Sequence, residues 1–364
     1  MLNALPFLHS LLASPRAKDR EIWLRIAGDI LNSKATAIDP GLEVEFLLCL
    51  DRADPETRLE AARQLAKRQG MRRRVANAFA QRDDAAGRWF LIHAQGLPEE
   101  TLIRALAEPR CARWLAERGD LSGRAVDDLV ASQDFPTLVA LARNPRLPLN
   151  SLQFTALAAA AREASDPALS QALLARTPLR TECAGLFLEA SSQQRREILV
   201  ALQRAELGQA RRLKLRDGNA DRNARLERAA IEGRRGAFVD DVSAGLDCSR
   251  DLALRLVDDS SGELLATALA ALRAPNDLIV RALTAIDLAD GEGYRRLASL
   301  SRLQGVISPT AATLVIAALT GARPDRESAP TASPTRWAGS APTREPAREP
   351  RALARGDPRA RETG

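Results

Sequence analysis

Few residues of this chain have the type and spacing that a catalytic or metal site needs. The histidines are His9 and His93, and neither lies in an HExxH arrangement or near a second candidate ligand. A single histidine on a helical face is more often a packed side chain than a catalyst. No GxSxG or P-loop motif is present. The sequence therefore predicts no catalytic residue, no metal and no cofactor, and we expect that the protein is not an enzyme.

One segment has the spacing of a calcium-binding loop. Asp217, Asn219 and Asp221 stand where positions one, three and five of such a loop would lie. The sixth position, which needs glycine, is Arg222, and the twelfth, which needs a bidentate carboxylate, is Arg228. Because an arginine at the twelfth position repels a cation instead of ligating it, the sequence excludes a calcium site here.

Two clusters of basic residues are candidate contacts for phosphates or for an acidic partner. The candidate residues are Arg72, Arg73, Arg74, Arg211, Arg212, Lys214 and Arg216, and the first cluster also includes Lys67 and Arg68. Arginine forks bind phosphate and carboxylate groups bidentately. However, no aromatic residues alternate with these arginines for base stacking. Phosphate binding, an acidic protein partner and a solvated face all remain open interpretations.

The most distinctive local pattern is the Asp-Asp-Ser-Ser-Gly-Glu run at 258–263. Ser260 and Glu263 are three residues apart, which is the spacing of a capping box at a helix N-terminus. We therefore predict that this run makes a sharp turn between two apolar helices and has a structural role.

The cysteines predict neither a zinc site nor a disulfide scaffold. Cys49, Cys111, Cys183 and Cys248 are each more than sixty residues from the next, and no CxxC pair occurs. A secreted scaffold would contain cysteines at a higher density. We expect buried, reduced thiols.

Composition and hydrophobic periodicity together predict an all-α fold. Apolar residues make up 45% of the 364 residues and aromatic residues only 4%, while Val and Ile number 12 each. One stripe at helical spacing contains Ile22, Ile26 and Ile30. Cap residues followed by proline, such as Asp54-Pro55, Asp166-Pro167 and Ser308-Pro309, predict helix starts.

A recurring turn lies between many of the predicted helices. A helix ends in a turn with Ala and Arg or Gly, and a Leu-Pro or Leu-Ser step then opens the next helix; this happens at 94–98, 116–122 and 142–148, and more weakly at 175–179. The spacings are too uneven for ankyrin or TPR arrays and favour irregular HEAT-like helical repeats stacked into an α-solenoid. The alternative is an irregular helical domain whose turns merely look alike.

Changes in composition divide the chain into four predicted parts. Residues 1–194 form an N-terminal helical-repeat domain, and 236–321 form a C-terminal helical domain. Between them, 195–235 contain 12 basic and 6 acidic residues and are predicted to be a basic polar hinge, helical in parts. Residues 322–364 contain seven of the twenty prolines and no helical stripe, which predicts a disordered tail. Trp337 is the residue of the tail able to anchor a partner, although an aromatic residue without a role is the favoured interpretation.

The chain is expected to be a cytoplasmic protein with no membrane association. The opening 13 residues have no basic residue ahead of their apolar patch and no AxA site, so a first helix fits better than a signal peptide. The longest other apolar run, 311–319, falls short of the roughly 20 residues that span a bilayer.

The run at 258–263, the helix after it and the turns at 116–122 and 142–148 carry a family resemblance. The chain resembles a family of uncharacterised alphaproteobacterial proteins that have a HEAT-like domain of unknown function. The resemblance covers roughly 40–320. It implies a helical-repeat fold and a bacterial cytoplasm, and it supplies no catalytic residues.

These observations predict a non-enzymatic helical-repeat scaffold or adaptor that mediates protein–protein interaction with an unknown partner. The alternative is a nucleic-acid-binding solenoid that uses the two basic clusters. A less favoured alternative is an enzyme on a HEAT-like scaffold, such as a DNA glycosylase, which needs an acidic residue facing a basic groove.

Overall fold

The computed structural model describes residues 14, 16–31, 40–67, 72–164, 166–209, 213–215, 218–285 and 307–322. Over these residues the chain forms eighteen α-helices, one 3-10 helix and no β-strand, which confirms the all-α prediction. None of the helices described is long and apolar enough to cross a membrane. The predicted tail lies outside the described residues, apart from Ala322.

The N-terminal part consists of two rows of helices. Successive helices alternate between the rows, so each helix packs on the helix two positions further along the chain. The first row consists of α1 (Ala17–Leu31), α3 (Pro55–Ala66), α5 (Ala85–His93), α7 (Pro109–Ala116), α9 (Phe135–Arg143) and α11 (Ala168–Leu174). The second row consists of α2 (Pro40–Arg52), α4 (Arg73–Ala80), α6 (Glu99–Ala107), α8 (Gly123–Ala131), α10 (Ser151–Glu163) and the 3-10 helix (Thr181–Leu186). Apolar side chains fill the space between the rows, with Phe46, Phe79 and Phe90 fully buried.

Side-chain caps start many of these helices. Asp54 accepts a hydrogen bond from the amide of Thr57 at 2.9 Å, and Ser308 does the same for Ala311 at 3.1 Å; a proline follows each cap, as predicted. At Asp166-Pro167 the helix start is displaced by one residue from the prediction, because Pro167 and not Asp166 is the N-cap residue of α11. The Asp166 carboxylate still accepts the amide of Ala168, the first residue of α11, at 2.9 Å.

The recurring turns stack on one another at the C-terminal ends of the first-row helices. In each turn, a side chain or a backbone amide donates hydrogen bonds to carbonyl oxygens at the end of the preceding first-row helix. The Arg118 guanidinium donates to Leu91 O at 2.7 Å and Ala94 O at 2.8 Å. The side-chain amide of Asn144 donates to Ala116 O at 2.9 Å. These bonds satisfy carbonyls that a helix end leaves without partners, so the repeated turns hold the row together.

Arg176 extends this ladder of turns to the end of the row. Its guanidinium donates to four carbonyl oxygens, those of Leu141, Ala142, Asn144 and Leu147, at 2.5–3.4 Å. Burial lowers the pKa of Arg176, and the nearby Arg180 lowers it further. The carbonyls at the C-terminus of α9 carry the negative end of the helix dipole, which compensates the half-buried cation.

The C-terminal part has a different plan, in which helices surround one central helix. The helices are α12 (Ser192–Leu207), α13 (Ala220–Ile231), α14 (Arg235–Leu246), α15 (Arg250–Val257), α16 (Glu263–Ala271), α17 (Asn276–Ala285) and α18 (Pro309–Thr320). Every residue of α16 is buried, and α14, α15, α17 and α18 pack against it. Such all-round burial is typical of a helix at the centre of a core.

The helix α18 ties this part to the end of the two rows. It packs against α12, α16 and the 3-10 helix. The Arg162 guanidinium of α10 donates to Ala318 O at 2.7 Å. One continuous core therefore extends from Ala112 in α7 to Ile316 in α18 and includes Ile198 and Leu226 from the segment 195–235. The boundaries near 195 and 235 stay predictions.

The capping box predicted at Ser260 and Glu263 is wrong. Gly262 is the N-cap residue of α16, with a φ of 72°, and it makes no side-chain cap. The Asp259 carboxylate accepts the Leu264 amide at 3.0 Å, and the Ser261 hydroxyl accepts the Glu263 amide at 3.2 Å. The side chain of Glu263 turns into the protein because a buried cation lies there.

That cation is Arg195 of α12, which has an exposed fraction of 7%. Its guanidinium donates to Glu263 at 3.2 Å and to Ser261 at 3.0 Å, and it lies 3.3 Å from the Asp259 carboxylate. It also donates to Phe187 O at 3.2 Å. The run at 258–263 is thus the anionic half of a buried ion cluster that joins α12 to α16.

Candidate functional site

The first predicted basic cluster is largely occupied by ion pairs within the fold. Arg72 is half-buried and lies 3.6 Å from Glu43 of α2. Arg73, the first residue of α4, lies 2.6 Å from Glu100 of α6. Arg74 is exposed and has no ion pair with a described residue. Because two of the three guanidinium groups connect neighbouring second-row helices, the cluster presents much less free positive charge than its sequence indicates.

The second predicted cluster is described only at Lys214, which is exposed. Arg211, Arg212 and Arg216 lie outside the described residues. The two clusters are therefore not shown to share one surface.

The strongest candidate site is instead an open groove across the first row, between α7, α9 and α11. Its cavity has a volume of about 750 Å³. A second cavity of about 440 Å³ continues it along α11 and shares Arg143 and Ala168 with it. The residues that line the larger cavity are Arg113, Glu117, Phe135, Pro136, Val139, Ala140, Arg143, Asn144, Arg146, Asp166 and Ala168. We call these two cavities the arginine groove.

The charge of the arginine groove is positive. Arg113, Arg143 and Arg146 are exposed, and none forms an ion pair with a residue in the described part of the chain. Of the two carboxylates, Glu117 is held by Arg88 at 3.1 Å. Asp166 accepts the Ala168 amide. Three exposed guanidinium groups thus line one cavity together with apolar residues.

The stacked turns explain how these arginines come together. Arg113 lies in the last turn of α7 and Arg143 is the last residue of α9, while Arg146 follows in the turn. A Cβ added to Gly119 would lie 2.9 Å from Cβ of Arg146, so the turn after α7 packs directly against the turn after α9. Favourable interaction with helix dipoles accounts for an arginine at each helix end. It does not account for three unpaired arginines over one cavity.

Two aromatic rings of α5 lie close together beside an arginine of α3. The ring of His93 lies 4.0 Å from that of Trp89, and the Arg63 guanidinium lies 5.2 Å above the Trp89 ring. Burial lowers the pKa of His93, and the charges of Arg118 and Arg146 lower it further, against an opposing effect of Glu117. Burial is thus the main cause of the lowered pKa of His93, and the charges of the two arginines add to it.

The groups that usually perform covalent chemistry are sequestered. Cys49, Cys111 and Cys183 are buried, Cys248 is partly buried, and none forms a disulfide, which agrees with the expected reduced thiols. Burial raises the pKa of Cys49, Cys111 and Cys183, so these thiols stay protonated and weakly nucleophilic. Over the described ranges no group of three or more His, Cys, Asp or Glu side chains is placed to hold a metal ion. The guanidinium groups that line the arginine groove are suited to binding an anion.

Sequence reasoning missed the arginine groove because its arginines are not adjacent. Arg113 is thirty residues from Arg143, and no window around either is notably basic. The signal that would have found them is the turn pattern itself. Aligning 116–122 with 142–148 and stacking the two turns brings Arg113 and Arg143 to the same side.

No known protein family, curated protein or solved structure matches this chain. The family resemblance inferred from the turns and the run at 258–263 stays a prediction.

Proposed function

We propose that this protein is a non-enzymatic helical-repeat scaffold that binds a partner protein through the surface of its stacked helices. The observation that carries the proposal is the two-row plan, in which each helix packs on the next but one and the turns repeat in space. Arrays of this kind expose long continuous surfaces and are widely used for protein binding.

The irregular turns fit a degenerate HEAT-like array better than a consensus repeat. What recurs is the hydrogen bond from each turn to the preceding helix end, made by Arg118, Asn144 and Arg176 in turn. Different side chains perform this role. What recurs along the chain is therefore the geometry of the turn and not the residue type.

Nucleic-acid binding is less well supported. Glu43 and Glu100 neutralise Arg72 and Arg73 of the first basic cluster. Duplex binding needs many lysines or arginines free to contact phosphates. The arginine groove, lined by Arg113, Arg143 and Arg146, also contains the carboxylates of Glu117 and Asp166.

Affinity capture from a lysate of the source organism tests the proposed function. The full chain is immobilised and the lysate is applied with and without nuclease. We expect discrete proteins, identified by mass spectrometry, whose recovery is unchanged by nuclease. Each is then purified and must bind the chain directly in isothermal titration calorimetry.

Two outcomes would contradict the proposal. Recovery that vanishes with nuclease would favour the nucleic-acid alternative, and low-salt duplex binding that weakens steeply with salt would establish it. Captured proteins that fail to bind once purified would remove the scaffold function.

A further inference from the structure

We propose that the arginine groove binds an acidic segment of a partner protein, with an apolar side chain of that segment seated between the arginines. This inference rests on the proposed scaffold function and adds the place and chemistry of binding. The partner is thus a protein whose bound segment combines Asp or Glu residues with at least one large apolar residue.

The charge of the groove is the first argument. Arg113, Arg143 and Arg146 have no counter-ion among the described residues. Elsewhere the described part of the chain pairs many of its arginines across helices, as with Arg110 and Asp83 at 2.6 Å or Arg225 and Asp241 at 2.9 Å. Arg113, Arg143 and Arg146 share one cavity instead, and their three unpaired guanidinium groups present forks suited to carboxylates.

The apolar lining of the groove is the second argument. Phe135, Pro136, Val139, Ala140 and Ala168 line the same cavity as the arginines. Phe135 and Ala140 are only partly buried, so a ligand can still remove apolar surface from water there. Aromatic residues and arginine are enriched in protein-binding patches.

The same features disfavour a nucleic-acid occupant. Glu117 and Asp166 also line the groove, and a nucleic-acid strand running along it would bring a negative charge at every phosphate. A peptide can place its carboxylates at the three arginines and avoid these two positions. Occupancy by an oligonucleotide is therefore an outcome that the test must be able to detect.

Selection of peptides from a display library tests the groove directly. A library of random 12-residue peptides is selected on the immobilised full chain and sequenced. In parallel it is selected on the variant R113E/R143E/R146E. A control variant, R104E/R124E/R228E, reverses three exposed arginines that lie outside the arginine groove and have no described ion pair. Circular dichroism and thermal unfolding establish that each variant is folded.

We expect the full chain to enrich peptides that combine Asp or Glu with a large apolar residue. A synthetic peptide of the enriched sequence should lose at least about tenfold in affinity on the groove variant, since each charge-assisted hydrogen bond contributes about a factor of ten. On the control variant its affinity should stay within about twofold, because exposed charges outside the groove are screened.

Several results would overturn the inference. These are enrichment of basic or uncharged peptides, no enrichment at all, and equal affinity for the groove variant. Tighter binding of a 12-nucleotide single-stranded DNA than of any enriched peptide, lost on the groove variant, would reassign the groove to nucleic acid. If lysate proteins still bind the groove variant as tightly as the full chain, the scaffold function stands and only the location fails.

Discussion

The arginines that join elements in the two parts of this fold reach different distances along the chain. In the rows of the N-terminal part, Arg118 and Arg176 donate to backbone carbonyls at helix ends, and each joins only neighbouring turns. In the C-terminal part, Arg195 pairs with two carboxylates and joins helices far apart in the chain. The first use makes stability a sum of local contacts, whereas the second concentrates it in one buried cluster.

This difference predicts different unfolding behaviour. A row of helices that contact only their neighbours opens locally, beginning at its ends. A group of helices around the fully buried α16 has no such end and should open as a unit. The four predictions below test that contrast, from the largest expected effect to the smallest.

Removing Arg195 should have the largest effect. In R195A the carboxylates of Asp259 and Glu263 stay in a buried site without their cation, which should lower the free energy of unfolding by about 3–5 kcal/mol. Urea denaturation followed by circular dichroism measures the loss. The variant R204A removes an exposed arginine of the same helix and should change it by less than about 0.5 kcal/mol.

A triple variant separates lost charge pairing from lost packing. R195A/D259N/E263Q removes the buried charges together, and we expect it to be more stable than R195A alone. If R195A matches R204A in stability, the cluster does not join α12 to α16 energetically.

Removing Arg118 should have a smaller and more local effect. R118A loses hydrogen bonds to Leu91 O and Ala94 O and the ion pair with Asp120 at 2.7 Å. We expect a loss of about 1.5–3 kcal/mol. Hydrogen exchange should accelerate in α5 and α7 while α16 stays protected. Uniform acceleration, α16 included, would show that the two parts do not unfold differently.

The contact between stacked turns should be sensitive to a single methyl group. In G119A the new Cβ would lie 2.9 Å from Cβ of Arg146, and a shift of the turn should cost about 1 kcal/mol of stability. The matched change G123A, at the start of α8, meets nothing within 4 Å and should be neutral or slightly stabilising. Thermal unfolding compares the two, and equal melting temperatures would argue against the stacking of the turns.

The smallest effect should be a pH dependence at His93. Its pKa in the folded protein lies below the ordinary 6.5, because of burial and then of Arg118 and Arg146. The unfolded chain therefore binds the proton at higher pH, so stability is complete above pH 6.5 and decreases as the pH falls toward the folded-state pKa.

NMR titration of the His93 ring measures this directly, with H9Q used to assign the signals. R146Q should raise the pKa of His93, whereas R104Q, which is remote from the groove lining, should leave it unchanged. A His93 pKa at or above 6.5 in the unmodified protein would mean that the positive field does not reach this ring.

The sequence by itself determined the local structure. Low aromatic content, apolar stripes at helical spacing and caps such as Asp54 and Ser308 were enough to predict an all-α chain, because these signals act within a few residues. The recurring turns were also visible, although their spacing alone does not prove that they stack.

Only the tertiary structure decided which charges are free. Arg72 and Arg73 look like a binding cluster in sequence, yet Glu43 and Glu100 pair with them from other helices. Glu263 has capping-box spacing, yet Arg195, sixty-eight residues away, orients its side chain instead. Arg113, Arg143 and Arg146 look isolated, yet the stacking of turns gathers them over one groove. The physical reason is that a charge interacts with its neighbours in space, and in this fold those neighbours come from distant positions in the chain.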